Sequence, residues 1–425
     1  MTMAMAYVPG MLGDIGTRLT GPSFLRGLAT LQRAQVTSQV TALAADGQAW
    51  VEYGTDVPRF HGPARRLLIE GQRTNLVANT RTPGGTGWGT SGCASVAGVA
   101  GPDGNASSAA RITEDTSVGQ HAVSSTISGV TAGTEYTQSC FFRSVSGSQY
   151  VQMSGSNATG LTFHANFDLL AGTVTAATDC IAQIAPMGAG WFRGSITLIA
   201  PGTGNGVFRI STADSPTAAR LASHGGTGKT YDVAWPQLEA GSFASTTVLP
   251  PTATPAASTR GADLVSAPLA SMGIGGTGAC TVLWSGMMPQ LAGPSFSQEV
   301  FDIDGGSIGN RYSLRLPAGG SASVTLLNLT GGVSGGAQTV GSIAAGTPFR
   351  VGMSIDGTGR AAVSLNGAAA GAASGGPTSG MTTLRIGNNA SGSAPMFGEV
   401  GTIIVMPFAL SDADLAARVA AFPAA

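Results

Sequence analysis

The stretch EYTQSCFFRSV, residues 135–145, sets Tyr136, Cys140 and Phe142 against Thr137, Ser139 and Arg143. This period of two predicts a β-strand with one covered face, a pattern that Phe141 breaks. Comparable runs lie on both sides: AARITE, QHAVSSTISG, QYVQMSG, LTFHANFD, GTVTAAT, GWFRGSITLI, GVFRIST and TYDVAWPQLEAG. So many strands in one sheet would leave an apolar face wet, so two packed sheets are expected. A second series, from TVLWSGMM through EVFDIDG, RYSLRLP, ASVTLLNLT, TPFRVGMSIDG and AAVSLNG to GEVGTIIVMPFAL, predicts a second sandwich. The expected fold class is all-β, two successive β-sandwiches preceded by a short segment.

Composition points the same way. The chain is 43% hydrophobic but only 10% charged, and its 64 glycines run through nearly its whole length, which favours short strands and tight turns over charged helices. Twenty-one basic residues balance twenty-two acidic ones, so no positive field is available to hold nucleic acid. The opening MTMAMAYVPGMLGDIGTRL lacks a basic start and is interrupted by Pro9, Gly10, Asp14 and Gly16. Neither a signal peptide nor membrane insertion is expected. Cys93, Cys140, Cys180 and Cys280 have no zinc-ligand spacing and read as free thiols.

Residues 1–60 hold the one Ala, Leu and Gln-rich run, whose composition permits a helix and whose Thr and Val weaken it. Residues 249–278, with Pro250, Pro251, Pro255 and Pro268, read as a linker with possible edge-strand pieces. Near the end, Ser411 is expected to cap a helix over Asp412 to Ala420, with Asp414 completing a capping box and Leu415 and Val419 on its buried side.

Two segments resemble a module found in tailed-phage and prophage virion proteins. In RFHGPARRLLIEGQRTNL (59–76) the matching residues are Leu68, Ile69, Glu70, Arg73, Thr74, Asn75 and Leu76. In 235–264 they are Trp235, Gln237, Leu238, Glu239, Gly241, Thr259, Arg260 and Asp263, with Gly261 where the group commonly has Ala. Gly190, Trp191, Phe192 and Arg193 match a strand motif between them, and SIDGTGRAAVSLNG, TTLRIGN and FALSDADLAARVAAF resemble concanavalin A-like or laminin G-like sandwiches. The resemblance implies an N-terminal anchoring or assembly segment (1–60), a carbohydrate-binding-module-like jelly roll (61–248), a linker (249–278) and a concanavalin A-like domain (279–425). It also implies a virion-surface protein, a head or tail spike or fibre, with other virion proteins and host surface polysaccharide as partners and homotrimers as the usual assembly. The competing reading is a purely architectural decoration, plug or adaptor protein.

Site candidates follow from residue chemistry. Trp88, Trp191, Trp235 and Trp284 could stack on sugar rings. Trp191 and Trp235 lie in apolar strand text and read as core, leaving Trp88 and Trp284 as the glycan-binding candidates, with turn packing the competing role for Trp88. Asp302 and Asp304, on one side of a strand, are weak calcium candidates, and no other cofactor is expected. Glu70 with Arg73, and Glu239 with Arg260, are expected to pair and tie the two flanking segments together. No enzyme is expected. His61, His121, His164 and His224 have no recognised spacing, nucleophile elbow and phosphate-loop motifs are absent, and Glu135, Asp168, Asp232 and Glu299 are not singled out as a hydrolytic pair.

Overall fold

The computed structural model describes residues 17–20, 30–35, 39–47, 49–54, 56–156, 162–250, 256–293 and 296–424. The protein is all-β, built of antiparallel sheets, with one α-helix over Asp412–Ala421 among the described residues. No helix among them is long and apolar enough to cross a membrane. The fold divides into two units that are discontinuous in sequence. Unit 1 holds 1–32, 64–71 and 262–425, and unit 2 holds 33–63 and 72–261.

Unit 2 contains the strand Glu135–Ser146. Its first sheet runs Ile181–Pro186, Phe192–Ile199, Glu135–Ser146, Thr230–Ala240, Ala109–Glu114, Cys93–Val99. Its second runs Thr173–Thr178, Thr162–Asp168, Tyr150–Ser156, Gly204–Ala213, Ala122–Val130, Trp88–Ser91. The two stack in a sandwich-like core. Ile112, Phe142, Tyr231 and Val233 from the first meet Val123, Val151, Met153, Phe167, Phe208 and Ile210 from the second in one buried cluster.

Phe141 has its own explanation. Its ring points to the opposite face, where it packs edge-on against Trp50 and Trp235 at centroid distances of 5.5 and 5.2 Å. With Trp191, Ala109, Ala234 and Leu249 these form a second cluster, so the strand is covered on both faces and strict alternation is lost. A β-bulge builds this cluster. Pairing slips from Ser139–Gln237 to Phe141–Ala234, so Trp235 and Pro236 face the single residue Cys140. Trp235 takes φ 51°, a left-handed conformation unusual for a bulky residue, and is fully buried. Proline suits the neighbouring position because a bulge leaves one backbone N–H without a ladder partner.

In unit 1, one sheet runs Gly371–Ala373, Ala361–Leu365, Phe349–Ile355, Cys280–Met287, Gly398–Met406. Thr17–Thr20 and Arg66–Ile69 pair with different stretches of that last strand. The other sheet runs from the later residues of Ser258–Pro268 through Thr383–Ile386, Gln298–Asp304, Arg311–Leu316 and Ser323–Thr330 to Val333–Ser342. At one edge Asn328 Nδ2 donates to Ala373 O at 3.1 Å, tying the sheets together. The helix forms as expected: Ser411 accepts from Asp414 N at 3.2 Å, and Leu415 and Val419 are buried against Leu283, Ala362 and Phe422.

Three expectations about organisation are corrected. Residues 249–278 are not a linker, because Ser258–Pro268 is an eleven-residue strand followed by a 3-10 turn, Leu269–Met272. Its buried positions are Ser258, Arg260, Gly261, Asp263, Val265 and Ala267, so small and charged side chains hid the periodicity, and the prolines lie outside its interior. The segment 1–60 is not one separate element. Thr17–Thr20 joins a sheet of unit 1, whereas Gln39–Leu43 and Trp50–Tyr53 pair in unit 2, and the run that could have been a helix contains the strand Thr30–Gln35. Within the expected anchoring segment 1–60, residues 1–16 and 21–29 lie outside the described residues. Finally, Leu67, Leu68 and Ile69 do not belong to the first sandwich as the boundary at 61 implied, since they pair with Val400, Glu399 and Gly398 in unit 1.

Candidate functional site

The motif residues Arg73–Asn75 and those from Trp235 to Arg260 lie in unit 2. Arg73, Thr74 and Asn75 pair antiparallel with Arg260, Thr259 and Ser258. Asn75 works as a bracket: its Nδ2 donates to Pro236 O at 3.1 Å, while its Oδ1 accepts from Leu238 N at 3.1 Å and Val77 N at 3.0 Å. Glu239 has Arg73 as its ion-pair partner. Arg73 Nε lies 3.1 Å from Glu239 Oε2, and Arg260 Nη1 donates to Thr246 Oγ1 at 3.1 Å. Glu239 also accepts from Gln237 Nε2, Ser245 N and Ser245 Oγ at 2.6, 2.8 and 2.7 Å, which satisfies a fully buried carboxylate. Gly241 is required beside it, since at φ 137° a Cβ would sit 2.8 Å from Arg73 Nη2. Within unit 1, Glu70 N donates to Asp263 Oδ2 at 3.0 Å, and Asp263 N returns the bond to Glu70 O. These residues are therefore structural closures.

The tryptophan expectation is corrected. All five tryptophans are buried: Trp88 is 9% exposed and Trp284 is 0%. Trp88 Nε1 donates to Ala78 O at 3.2 Å and its ring meets Phe208 edge-on, so it pins a turn onto the core. Trp284 packs on Phe349 at 4.8 Å. Neither presents a ring face to a sugar. Trp191 and Trp235 are core as expected, with the Arg143 guanidinium 4.6 Å from the Trp191 ring.

The calcium expectation is corrected too. Asp302 and Asp304 do share a face, but Asp302 Oδ2 is held by Arg311 Nη1 at 3.1 Å and Asp304 Oδ2 by Arg385 Nε at 2.6 Å. Guanidinium groups occupy the positions a cation would take, and no group of three potential metal ligands occurs among the described residues.

An open groove of about 630 Å³ in unit 2 is lined by Trp50, Val51, Glu52, Arg81, Asp103, Asn105 and Ser107. Its volume lies in the range of small-ligand sites. The strand Trp50–Tyr53 supplies one wall, with Trp50 buried in the Phe141 cluster and Glu52, two residues on, sharing its face. Arg81 Nη1 and Nη2 meet Glu52 Oε1 and Oε2, both at 2.8 Å, and Arg81 Nε donates to Pro250 O at 2.7 Å. Such a two-pronged pair fixes both side chains.

The other wall is the turn 101–108. Asn105 N donates to Asp103 Oδ1 at 3.0 Å and Ser108 Oγ to Asp103 Oδ2 at 2.9 Å. Ser108 Oγ in turn accepts from Trp235 Nε1 at 3.0 Å, so the bulged tryptophan positions the groove carboxylate from beneath. Trp50 N donates to Pro102 O at 3.1 Å and joins the two walls. Burial pushes the Asp103 carboxyl up, reinforced by the Glu52 charge, while Ser108 and Asn105 pull it down, and the net direction is upward. The arrangement offers carboxylate and amide acceptors beside hydroxyl, amide and guanidinium donors, a set suited to hydroxyl-rich ligands. Sequence reasoning missed this site. The only local signal was the turn text PDGN at 102–105, and nothing in it announces a partner 50 residues upstream.

A second ionisable cluster lies elsewhere in unit 2. His121, 1% exposed, sets Nδ1 at 2.5 Å from Gly92 O and Nε2 at 3.2 Å from His224 O, with Asp115 Oδ1 3.8 Å away. A neutral imidazole donates from one nitrogen only, whereas an imidazolium satisfies both carbonyls. Burial lowers the His121 value, but the Gly92 and His224 carbonyls with the Glu114 and Asp115 charges outweigh it, and the net shift is upward. A raised histidine contributes stability that is fully present below its ordinary value of about 6.5 and is lost as pH rises through the folded value. Glu114 is shifted down. Its burial penalty is outweighed by hydrogen bonds from His224, Thr212 and Thr227 and by the Lys229 charge, so its contribution is lost as pH falls below the carboxylate range. Urea midpoints measured at about pH 5.5 and about pH 8.5 should fall toward the alkaline side in the wild type and much less in His121→Asn. Equal slopes in the two proteins would exclude a protonated His121.

No protein-family model matches the chain, and no curated protein matches it. Among solved structures, the CBM40 of the Ruminococcus gnavus IT-sialidase bound to α2,3-sialyllactose is similar to 33% of this chain over 82% of its own, at 16% identity and TM-score 0.27. Domain 4 of AbnA, a GH43 extracellular arabinanase from Geobacillus stearothermophilus in complex with arabinotriose, matches 36% of this chain over 73% of its own, at 19% identity and TM-score 0.28. A heptameric SAP-like pentraxin from Limulus polyphemus matches 33% over 69%, at 17% identity and TM-score 0.27.

Proposed function

We propose that this chain is a structural protein of a phage or phage-like particle, a head or tail spike or fibre at the virion surface, that binds host glycans without cleaving them. In this reading the two units are a carbohydrate-binding-module-like jelly roll and a concanavalin A-like sandwich. The observation that carries glycan binding is the open groove, where Glu52, Arg81, Asp103 and Asn105 converge from three segments on a rigid scaffold. Both groove carboxylates are engaged, Glu52 by Arg81 and Asp103 by its own turn, which supports binding over hydrolysis. Support for the virion role comes from the segments that resemble the phage module, since Arg73–Asn75 and Ser258–Arg260 lie side by side. A polar groove whose lining tryptophan, Trp50, is buried binds weakly, and several copies in a homotrimeric appendage would convert weak contacts into avidity.

A second reading, an architectural decoration or adaptor protein, is favoured by Ile181 and Ile199, 68% and 63% exposed on neighbouring strands. A glycan array probed with the full chain and with Ser107→Trp separates the two. Saccharide binding that weakens on the order of tenfold in the variant, at unchanged melting temperature, is the expected result. Absence of binding to any saccharide, with stable self-association by sedimentation, would favour the architectural reading.

A further inference from the structure

We propose that the groove sorts sugars by charge, accepting neutral and amino sugars and rejecting those that carry a carboxylate; this rests on the glycan reading above. Among the lining residues one cation faces two carboxylates, which leaves one negative charge. The cation is already committed, because Arg81 gives both terminal nitrogens to Glu52 at 2.8 Å. Asp103 receives hydrogen bonds from a backbone amide and a hydroxyl, both neutral donors. A sugar carboxylate entering here would meet Asp103 with like charge, and the positive charge of Arg81 is already balanced by Glu52. A sugar ammonium would instead supply the positive charge the groove lacks. Burial raises the Asp103 carboxyl, and the Glu52 charge adds to that direction. Uncharged hydroxyls are accommodated without an electrostatic penalty.

Two matched probe pairs isolate the charge. Chitotetraose is compared with its fully de-N-acetylated form, and lactose with sialyllactose, by titration into the full chain at mildly acidic pH and at low and high salt. The ammonium form should bind about two- to fivefold tighter than its acetylated parent, and sialyllactose weaker than lactose by a similar factor. Both gaps should narrow as salt is added. Asp103→Asn should narrow both gaps at low salt, each read as the ratio of charged to neutral probe within the same protein, with melting temperature checking that the 101–108 turn stays folded. Sialyllactose binding as tightly as lactose, or gaps that ignore salt, would overturn charge sorting and leave the glycan reading intact. Failure of every probe here and of every saccharide on the array would overturn both.

Discussion

Replacing Glu239 with alanine should destabilise unit 2 by about 3 to 5 kcal/mol, the usual cost of breaking a buried ion pair. The carboxylate is fully buried and holds four groups: Arg73, Gln237 and both the backbone and side chain of Ser245. Its loss removes the carboxylate 3.1 Å from Arg73 Nε and the acceptor of the Gln237 and Ser245 donors. Glu239→Gln keeps the shape but only one acceptor oxygen and should lose about 1 to 3 kcal/mol. Tryptophan fluorescence reads the effect selectively, because Trp50, Trp88, Trp191 and Trp235 lie in unit 2 and Trp284 in unit 1. A fluorescence transition in Glu239→Ala within about 1 kcal/mol of wild type would show that the closure of residues 235–260 does not depend on this charge.

Arg311→Met should produce a comparable loss in unit 1. Arg311 Nη1 bridges Glu299 Oε1 at 3.2 Å and Asp302 Oδ2 at 3.1 Å, both carboxylates are fully buried, and Ser313 donates to Glu299 as well. Removal of the guanidinium leaves two acids facing each other without their shared cation, at a cost of about 3 to 5 kcal/mol near neutral pH. The pH dependence follows from their titration. Burial raises both carboxyls against the opposing pull of Arg311, Asp302 well above the ordinary carboxylate value. An acid with a raised folded value contributes stability that is complete below its ordinary value and is lost as pH rises through the folded one. Acidification should therefore rescue Arg311→Met by protonating the stranded pair. Hydrogen-exchange mass spectrometry of peptides spanning 298–316 would follow it, and a loss that is constant across pH would refute the account.

Much of the architecture was legible because it is local. The strand over 135–146 followed from period-two text, and the helix over 412–421 from Ser411, Asp414 and two apolar residues four apart. The flanking motifs were also visible as text, and they do lie together. Their charge partners were not legible: Arg73 found Glu239 because the chain places residue 73 beside 260 and over Gly241, a consequence of register. The same limit explains the sites. Trp88 sits among glycines, where the text leaves a sugar platform and turn packing both open, and only the fold shows its indole turned back onto Phe208. Asp302 and Asp304 read as metal ligands only while Arg311 and Arg385, from neighbouring strands, are left out.

Composition and alternation by themselves determined that this is an all-β protein of stacked antiparallel sheets, because low charge, abundant glycine and period-two patterning act within a few residues of each other. Tertiary structure alone decided that the two units are interleaved, that 258–268 is a buried strand, and that a groove forms from Glu52, Arg81 and Asp103. Those outcomes depend on which strand edges meet and which side chains lose water, and both are set by residues far apart in the chain.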